Sequence, residues 1–227
     1  MTLTINDKKF ALGFFLILIA EIIFSSSEKL FSLHYLTKPA LMASLLLFFW
    51  KNSKHLPSAI RRLTMLALCA SVLGDILLMF THFNQMFFII GLIAFLLTHV
   101  IYIYVFSKNK SPMRKGIPFL LFTVVYACAL FYLLKDKLGN LMIPVIIYMA
   151  TIMAMATTAF LRKGHVPSLS FILVFNGAIL FMVSDSLLAI NKFHDPLPFA
   201  NISIIVTYAI AQLLIVLGIQ KQQLARI

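Results

Sequence analysis

An all-α bundle of eight membrane-crossing helices is the architecture that this sequence predicts, and three observations carry the prediction. Hydrophobic residues fill 62% of the 227 positions and charged residues only 11%, far more apolar surface than a water-soluble domain of this length buries. The apolar residues lie in continuous runs and not in alternation, which fits helices and excludes a barrel of strands. The basic residues sit in short pairs between the runs, the pattern that sets membrane topology.

The first run, 10–24, follows Lys8 and Lys9 and is expected to continue through 25–27 toward Leu33. No small-residue cleavage site follows it, so it reads as a retained first helix and not a removed signal peptide. The second run, 37–50, is short, as a tilted or partly re-entrant segment would be. The remaining six, 63–80, 85–106, 117–134, 141–160, 169–190 and 199–220, are close to the roughly 20 residues that span the hydrocarbon core. The connections are short, so the chain, 1–227, reads as a single integral membrane domain.

The net charge of +12 does not point to nucleic acid, because the basic pairs need no polyanionic partner. With a cytoplasmic N-terminus, 14 of the 19 Lys and Arg fall on the cytoplasmic side: Lys8, Lys9, Lys51, Lys54, Arg61, Arg62, Lys108, Lys110, Arg114, Lys115, Arg162, Lys163, Lys221 and Arg226. Both termini are therefore expected inside, which requires an even number of spans. The location follows as a multi-pass membrane protein, in a bacterium of the inner membrane. Cys69 and Cys128 fall within apolar runs and indicate neither a disulfide nor zinc.

The halves of the chain resemble each other. L-G-D-I-L-L-M-F (73–80) in the third run parallels V-S-D-S-L-L-A-I (183–190) in the seventh, and Pro39 and Pro144 precede the two aspartates at similar distances. A parallel four-plus-four repeat is the expectation.

Ionisable groups inside a membrane are functional candidates, since a carboxylate at the centre of a spanning helix costs roughly 2.5–3.5 kcal/mol. Here they are Glu21, Lys38, Asp75, His99 and Asp185. At 1.5 Å per residue, Asp75 and Asp185 are expected at matched depth, roughly 7 Å below the outer ends of their runs. Lys38 opens the second run on that side, and Tyr148 and Tyr208 lie about two turns in. One outer cavity is expected to gather these groups, with Glu21 near mid-run and His99 and Gln212 deeper. Ser71, Gly74, Asp75 and Leu78 share one helix face, as do Gly177, Phe181, Ser184, Asp185 and Leu188. The structural alternatives are an Asp75–Lys38 pair that only locks two helices and a His99 that only bonds between helices. His34, His82 and His194 lie at outer helix ends without metal-binding spacing, and the serines at 25–27 lack the surroundings of a nucleophile. Met149, Met153 and Met155 read as packing residues.

The motifs together resemble the YhhN-type lysoplasmalogenase family. They are T-K-P (37–39), S-x-x-G-D-x-L-L (71–78), F-x-x-x-H-x-x-Y (95–102), G-A-x-x-F-x-x-S-D-x-L-L-A (177–189) and Y-A-x-A-Q-x-L-I (208–215), which run from the second segment to the eighth. The resemblance implies eight spans. It also implies cleavage of the vinyl-ether bond of a lysoplasmalogen to a fatty aldehyde and a glycerophospho-alcohol. Matched positions make Asp75 and Asp185 catalytic, with Lys38, His99, Tyr208 and Gln212 in support; the position of Tyr148 and Glu21 adds them as substrate-binding or supporting groups.

That chemistry suits two carboxylates. Proton transfer to the β-carbon gives an oxocarbenium ion, water adds, and the hemiacetal collapses. Glycosidases meet a similar cation with an acid and a second carboxylate. No metal or other cofactor is needed. The expected partners are a lysophospholipid substrate and the surrounding membrane lipids. The rival reading is a proton-coupled small-molecule or lipid transporter, which calls for discontinuous helices near the midplane. A third is a lipid-binding scaffold that forms no product.

Overall fold

Thr4 and Asp7 start the first helix before its apolar run begins. The Asp7 amide donates to the Thr4 hydroxyl at 3.2 Å and the Thr4 amide donates to the Asp7 carboxylate at 2.7 Å, a reciprocal cap that satisfies two otherwise orphaned amides. In the computed structural model, which describes residues 2–222, eight helices are long and apolar enough to cross a membrane. They are α1 (Ile5–Ser26), α2 (Phe31–Asn52), α3 (Ser58–Met79), α4 (Gln85–Ser107), α5 (Ile117–Leu134), α6 (Met142–Leu161), α7 (Ser168–Phe193) and α8 (Ala200–Gln220). The chain is an all-α, multi-pass membrane protein.

Two boundaries differ from the sequence reading. The first helix does not reach Leu33: it ends at Ser26, Ser27 turns extended, and a tight turn leads directly into α2. The second segment is neither short nor re-entrant. It is a continuous helix of 22 residues with Pro39 inside it, so T-K-P lies about two turns in and does not open the helix. The missing proline N–H removes one bond of the ladder near that point.

Glycine sets how closely the helices pack. A Cβ on Gly177 of α7 would lie 2.8 Å from the Ala211 carbonyl oxygen of α8, and one on Gly218 would meet the Val174 backbone at 2.9 Å. Backbone-to-backbone approach of this kind is how small residues join helices where no hydrophobic gradient drives them together. In α3, a Cβ on Gly74 would press the Phe95 ring of α4 at 2.7 Å. The main buried cluster draws on every helix except α5, whose C-terminal end instead joins a small cluster of Leu134, Leu138 and Val145. The large exposed side chains, such as Leu16, Ile93, Phe122 and Val125, form the lipid-facing surface.

One face of the bundle gathers both ends of the described chain. The Lys221 ammonium pairs with the Asp7 carboxylate at 2.5 Å, and the His55 ring bonds the Gln220 carbonyl oxygen. Most of the basic residues lie on that face, although Arg226 falls outside the described residues. Arg162 is not a loop charge there. It is fully buried, donating to Ser170 Oγ at 3.0 Å and Gln222 Oε1 at 2.9 Å, with the Phe106 ring 5.4 Å away.

Candidate active site

The outer half of the bundle, away from the two chain ends, holds a cavity with an empty volume of about 1320 Å³, its open mouth included. Asp75 and Asp185 both line it, as do Glu21, Lys38 and Tyr208. Five of the eight predicted site residues thus meet in one space. The depths of the aspartates differ from expectation. Asp75 lies four residues before the end of α3, but α7 runs on to Phe193 and leaves Asp185 eight residues from its end.

Each carboxylate has its own partners. The Tyr208 hydroxyl of α8 donates to Asp75 Oδ2 at 2.9 Å. Phe95 and Phe181 stand edge-on to the Tyr208 ring and hold it upright. Asp185 Oδ2 accepts from the Tyr148 hydroxyl of α6 at 2.7 Å and lies 3.1 Å from His99 Nε2 of α4. His99 is fully buried, and its Nδ1 has no partner. A bare acceptor costs less than a bare N–H, so Nε2 carries the proton and donates it to Asp185. His99 therefore stands beside Asp185 and not below it, as a positioning group behind the carboxylate.

Glu21 is buried in the same cavity. Thr37 Oγ donates to its Oε2 and His34 Nδ1 contacts its Oε1, both at 2.6 Å. His34 thus serves a carboxylate, and among the described residues no group of three His, Cys, Asp or Glu is arranged to hold a metal ion. Lys38 shares the cavity with Asp75 but forms no ion pair with it. The helix-locking pair is therefore absent, and Lys38 lines the cavity without a carboxylate in ion-pair contact.

Gln212 does not reach the cavity. One turn deeper than Tyr208, it accepts from Tyr102 OH at 2.8 Å and donates to Ser71 Oγ at 2.9 Å, and Ser71 lies 3.1 Å from Thr98 Oγ. This polar layer ties α3, α4 and α8 together beneath Asp75. Several groups escaped the sequence reading. Asn191, Lys192 and Asn201 line the cavity, and Lys192 Nζ rests 5.0 Å from the Phe88 ring. The Tyr126 hydroxyl donates to Ser186 Oγ at 2.7 Å. A helical projection of α7 would have found Lys192, which stands seven residues after Asp185 on the same face.

Residues 33–219 match the YhhN family model. The chain belongs to the YhhN family. Curated relatives include human lysoplasmalogenase TMEM86B, 32% identical over 152 residues, or 67% of this chain and 61% of the human protein. Bovine lysoplasmalogenase TMEM86A is 30% identical, covering 71% of this chain and 66% of its own. The Mycobacterium tuberculosis lysoplasmalogenase is 30% identical over 191 residues, or 82% of this chain and 71% of that one. The match thus spans somewhat less than two thirds of the mammalian relatives. No solved structure matches the chain. The family match takes in nearly all of α2 to α8 and seven of the eight predicted site residues, leaving only Glu21 outside it.

Proposed function

We propose that this YhhN-family protein is a lysoplasmalogenase: an integral membrane hydrolase, of the inner membrane in a bacterium, that cleaves the vinyl-ether bond of a lysophospholipid. The observation that carries this reading is that Asp75 and Asp185 open on one cavity while each is held by hydrogen-bond donors from other helices. The names of the relatives support the same reaction.

In the proposed mechanism one aspartate delivers a proton to the β-carbon of the vinyl ether. The second stabilises the oxocarbenium ion and takes a proton from the attacking water. The hemiacetal then collapses to a fatty aldehyde and a glycerophospho-alcohol, with one water consumed and no net change in protons. Tyr208, Tyr148 and His99 hold the two carboxyls in place and do not themselves react. Preset geometry of this kind removes much of the entropic barrier to a two-reactant step. Lys38 and Lys192 supply two cations at the cavity wall, suited to a lipid phosphate. Every one of the eight spanning helices is continuous, so the transporter reading finds no broken helix to bind a coupled ion.

The test is release of long-chain aldehyde from a lysoplasmalogen by the purified protein in detergent, alongside folded Asp75→Asn and Asp185→Asn variants. Aldehyde from the wild type and loss of about 10²–10⁴-fold in each variant is the expected result. Aldehyde at equal rates from all three moves the site elsewhere, and none from the wild type defeats the reading.

A further inference from the structure

Asp185 borders a second space. Between α4, α5, α6 and α7 lies another cavity, with an empty volume of about 640 Å³ that counts its open mouth. Its walls are hydrocarbon: Leu92, Ala127, Leu130, Met149, Ile152 and Met182 are typical. The few polar groups there are already engaged. Tyr126 donates to Ser186, Ser186 donates to the Met182 carbonyl, and Tyr148 donates to Asp185. Phe88 and Leu188 line both cavities and so form the wall between them, and Asp185 is the one ionisable group common to both. Asp75 belongs to the polar cavity alone.

The two spaces differ in the way that the two ends of a single-chain lipid differ. One carries lysines and asparagines, and the other carries almost nothing that can bond to a polar group. We propose that the apolar cavity holds the hydrocarbon chain of the substrate, so that Asp185, and not Asp75, protonates the chain-side carbon. This rests on the function proposed above. In a vinyl ether the chain departs from the β-carbon and the head group from the oxygen. With the chain beyond Asp185 and the phosphate among Lys38 and Lys192, the β-carbon lies nearest Asp185. Both donors to Asp185 fall on Oδ2, which leaves Oδ1 to carry the transferable proton. That O–H bond breaks as the π pair forms the new C–H bond, and the α-carbon becomes the oxocarbenium centre. Water adds there from the polar cavity, beside Asp75, which takes the proton that the water gives up. As the hemiacetal carbon–oxygen bond breaks, Asp75 passes its proton to the departing glyceryl oxygen and the hemiacetal hydroxyl gives its proton to Asp185, which forms the aldehyde carbonyl and restores both carboxyls.

The experiment uses the full chain in detergent and a non-hydrolysable alkyl-ether lysophosphocholine with a photoreactive diazirine at one of two positions. A diazirine at the chain terminus is expected to label α5 and α6 around Leu130 and Met149, and one beside the ether oxygen to label Asp185. Terminal label confined to lipid-facing residues such as Leu121 and Phe122 overturns the chain cavity. Proximal label on Asp75 in place of Asp185 overturns the assignment of the acid. In parallel, lysoplasmalogens with six-carbon and sixteen-carbon chains are compared on Ala127→Phe and Ala189→Phe, which fill the cavity from two walls. On the order of tenfold loss or more in kcat/KM is expected for the long chain, with the short chain cleaved near the wild-type rate. Equal effects on both chains count against the proposal. Labelling does not depend on turnover: label on α5 and α6 without any aldehyde keeps the chain cavity and defeats the lysoplasmalogenase reading. Aldehyde with label elsewhere does the reverse.

Discussion

Asp75 and Asp185 occupy the same place in two helices and live in different surroundings. α3 and α7 each begin at a serine directly after a proline, Pro57–Ser58 and Pro167–Ser168, and each carries its aspartate seventeen residues further on. Each packs closely on the helix that follows it. The Asp75 corner is the more buried: the residue is 2% exposed, takes one hydrogen bond, from Tyr208, and meets the polar cavity alone. The Asp185 corner is open: its side chain is 14% exposed, takes two donors on one oxygen and meets two cavities. A pair of carboxylates in identical settings would have no basis for dividing an acid role from a base role. Here the framework is alike and the neighbours are not, so the difference comes from three side chains, Tyr208, Tyr148 and His99.

The largest effect expected from breaking this comparison is loss of either aspartate, as given above. Next come the donors. Tyr208→Phe removes the one hydrogen bond to Asp75, whereas Tyr148→Phe leaves His99 on Asp185. Hydrogen bonds to charged groups contribute about 1.5–3 kcal/mol, so Tyr208→Phe is expected to lower kcat roughly 10–100-fold. Tyr148→Phe should lower it less, and Tyr148→Phe with His99→Ala should restore the parity. Steady-state kinetics on the four proteins decide it, and a larger effect from Tyr148→Phe alone contradicts the comparison.

The packing predictions are smaller in activity and visible in stability. Gly177→Ala puts a methyl against the Ala211 carbonyl oxygen, which is backbone and cannot move aside, and is expected to destabilise by about 1–3 kcal/mol. Gly74→Ala presses on the Phe95 ring, a side chain that can shift, and should cost less stability. Because Phe95 supports Tyr208, it should cost more activity for each degree of Tm lost. Thermal unfolding in detergent and kcat on the same samples test both. The smallest effect belongs to Lys38→Met, expected to raise KM several-fold for a phosphate-bearing lipid and to leave an uncharged alkenylglycerol unchanged. Equal change on both substrates would remove Lys38 from phosphate binding.

Much of this was legible in the sequence, for a physical reason: the bilayer demands about 20 apolar residues per crossing, and eight such runs were present. The reading failed where function intrudes on that demand. α2 looked short because its first two turns carry Ser32, His34, Thr37 and Lys38, of which His34 and Thr37 turn inward to Glu21 and Lys38 lines the cavity. The aspartates were visible as charges in apolar runs. Gln212 was read as deeper than the cavity and lies there, but that His99 stands beside Asp185 was not visible, because a small difference in depth and rotation separates a lining residue from a supporting one. Arg162 was counted by side alone, because a basic residue at a helix end reads as a loop charge until its burial is seen. The apolar cavity left no trace in the sequence, since residues that line it and residues that face lipid are chemically the same.

The central claim is that two aspartates in one cavity perform acid-catalysed hydrolysis of a vinyl ether. Its most direct test is to run the reaction in deuterium oxide with the wild-type protein and each Asp→Asn variant, trap the aldehyde at once, and weigh it by mass spectrometry. The account predicts one deuterium on carbon 2 of the wild-type aldehyde, delivered with the proton that begins the reaction, and almost no aldehyde from either variant. Aldehyde without solvent hydrogen on carbon 2, or labelled aldehyde formed as fast without Asp75 and Asp185, would contradict it.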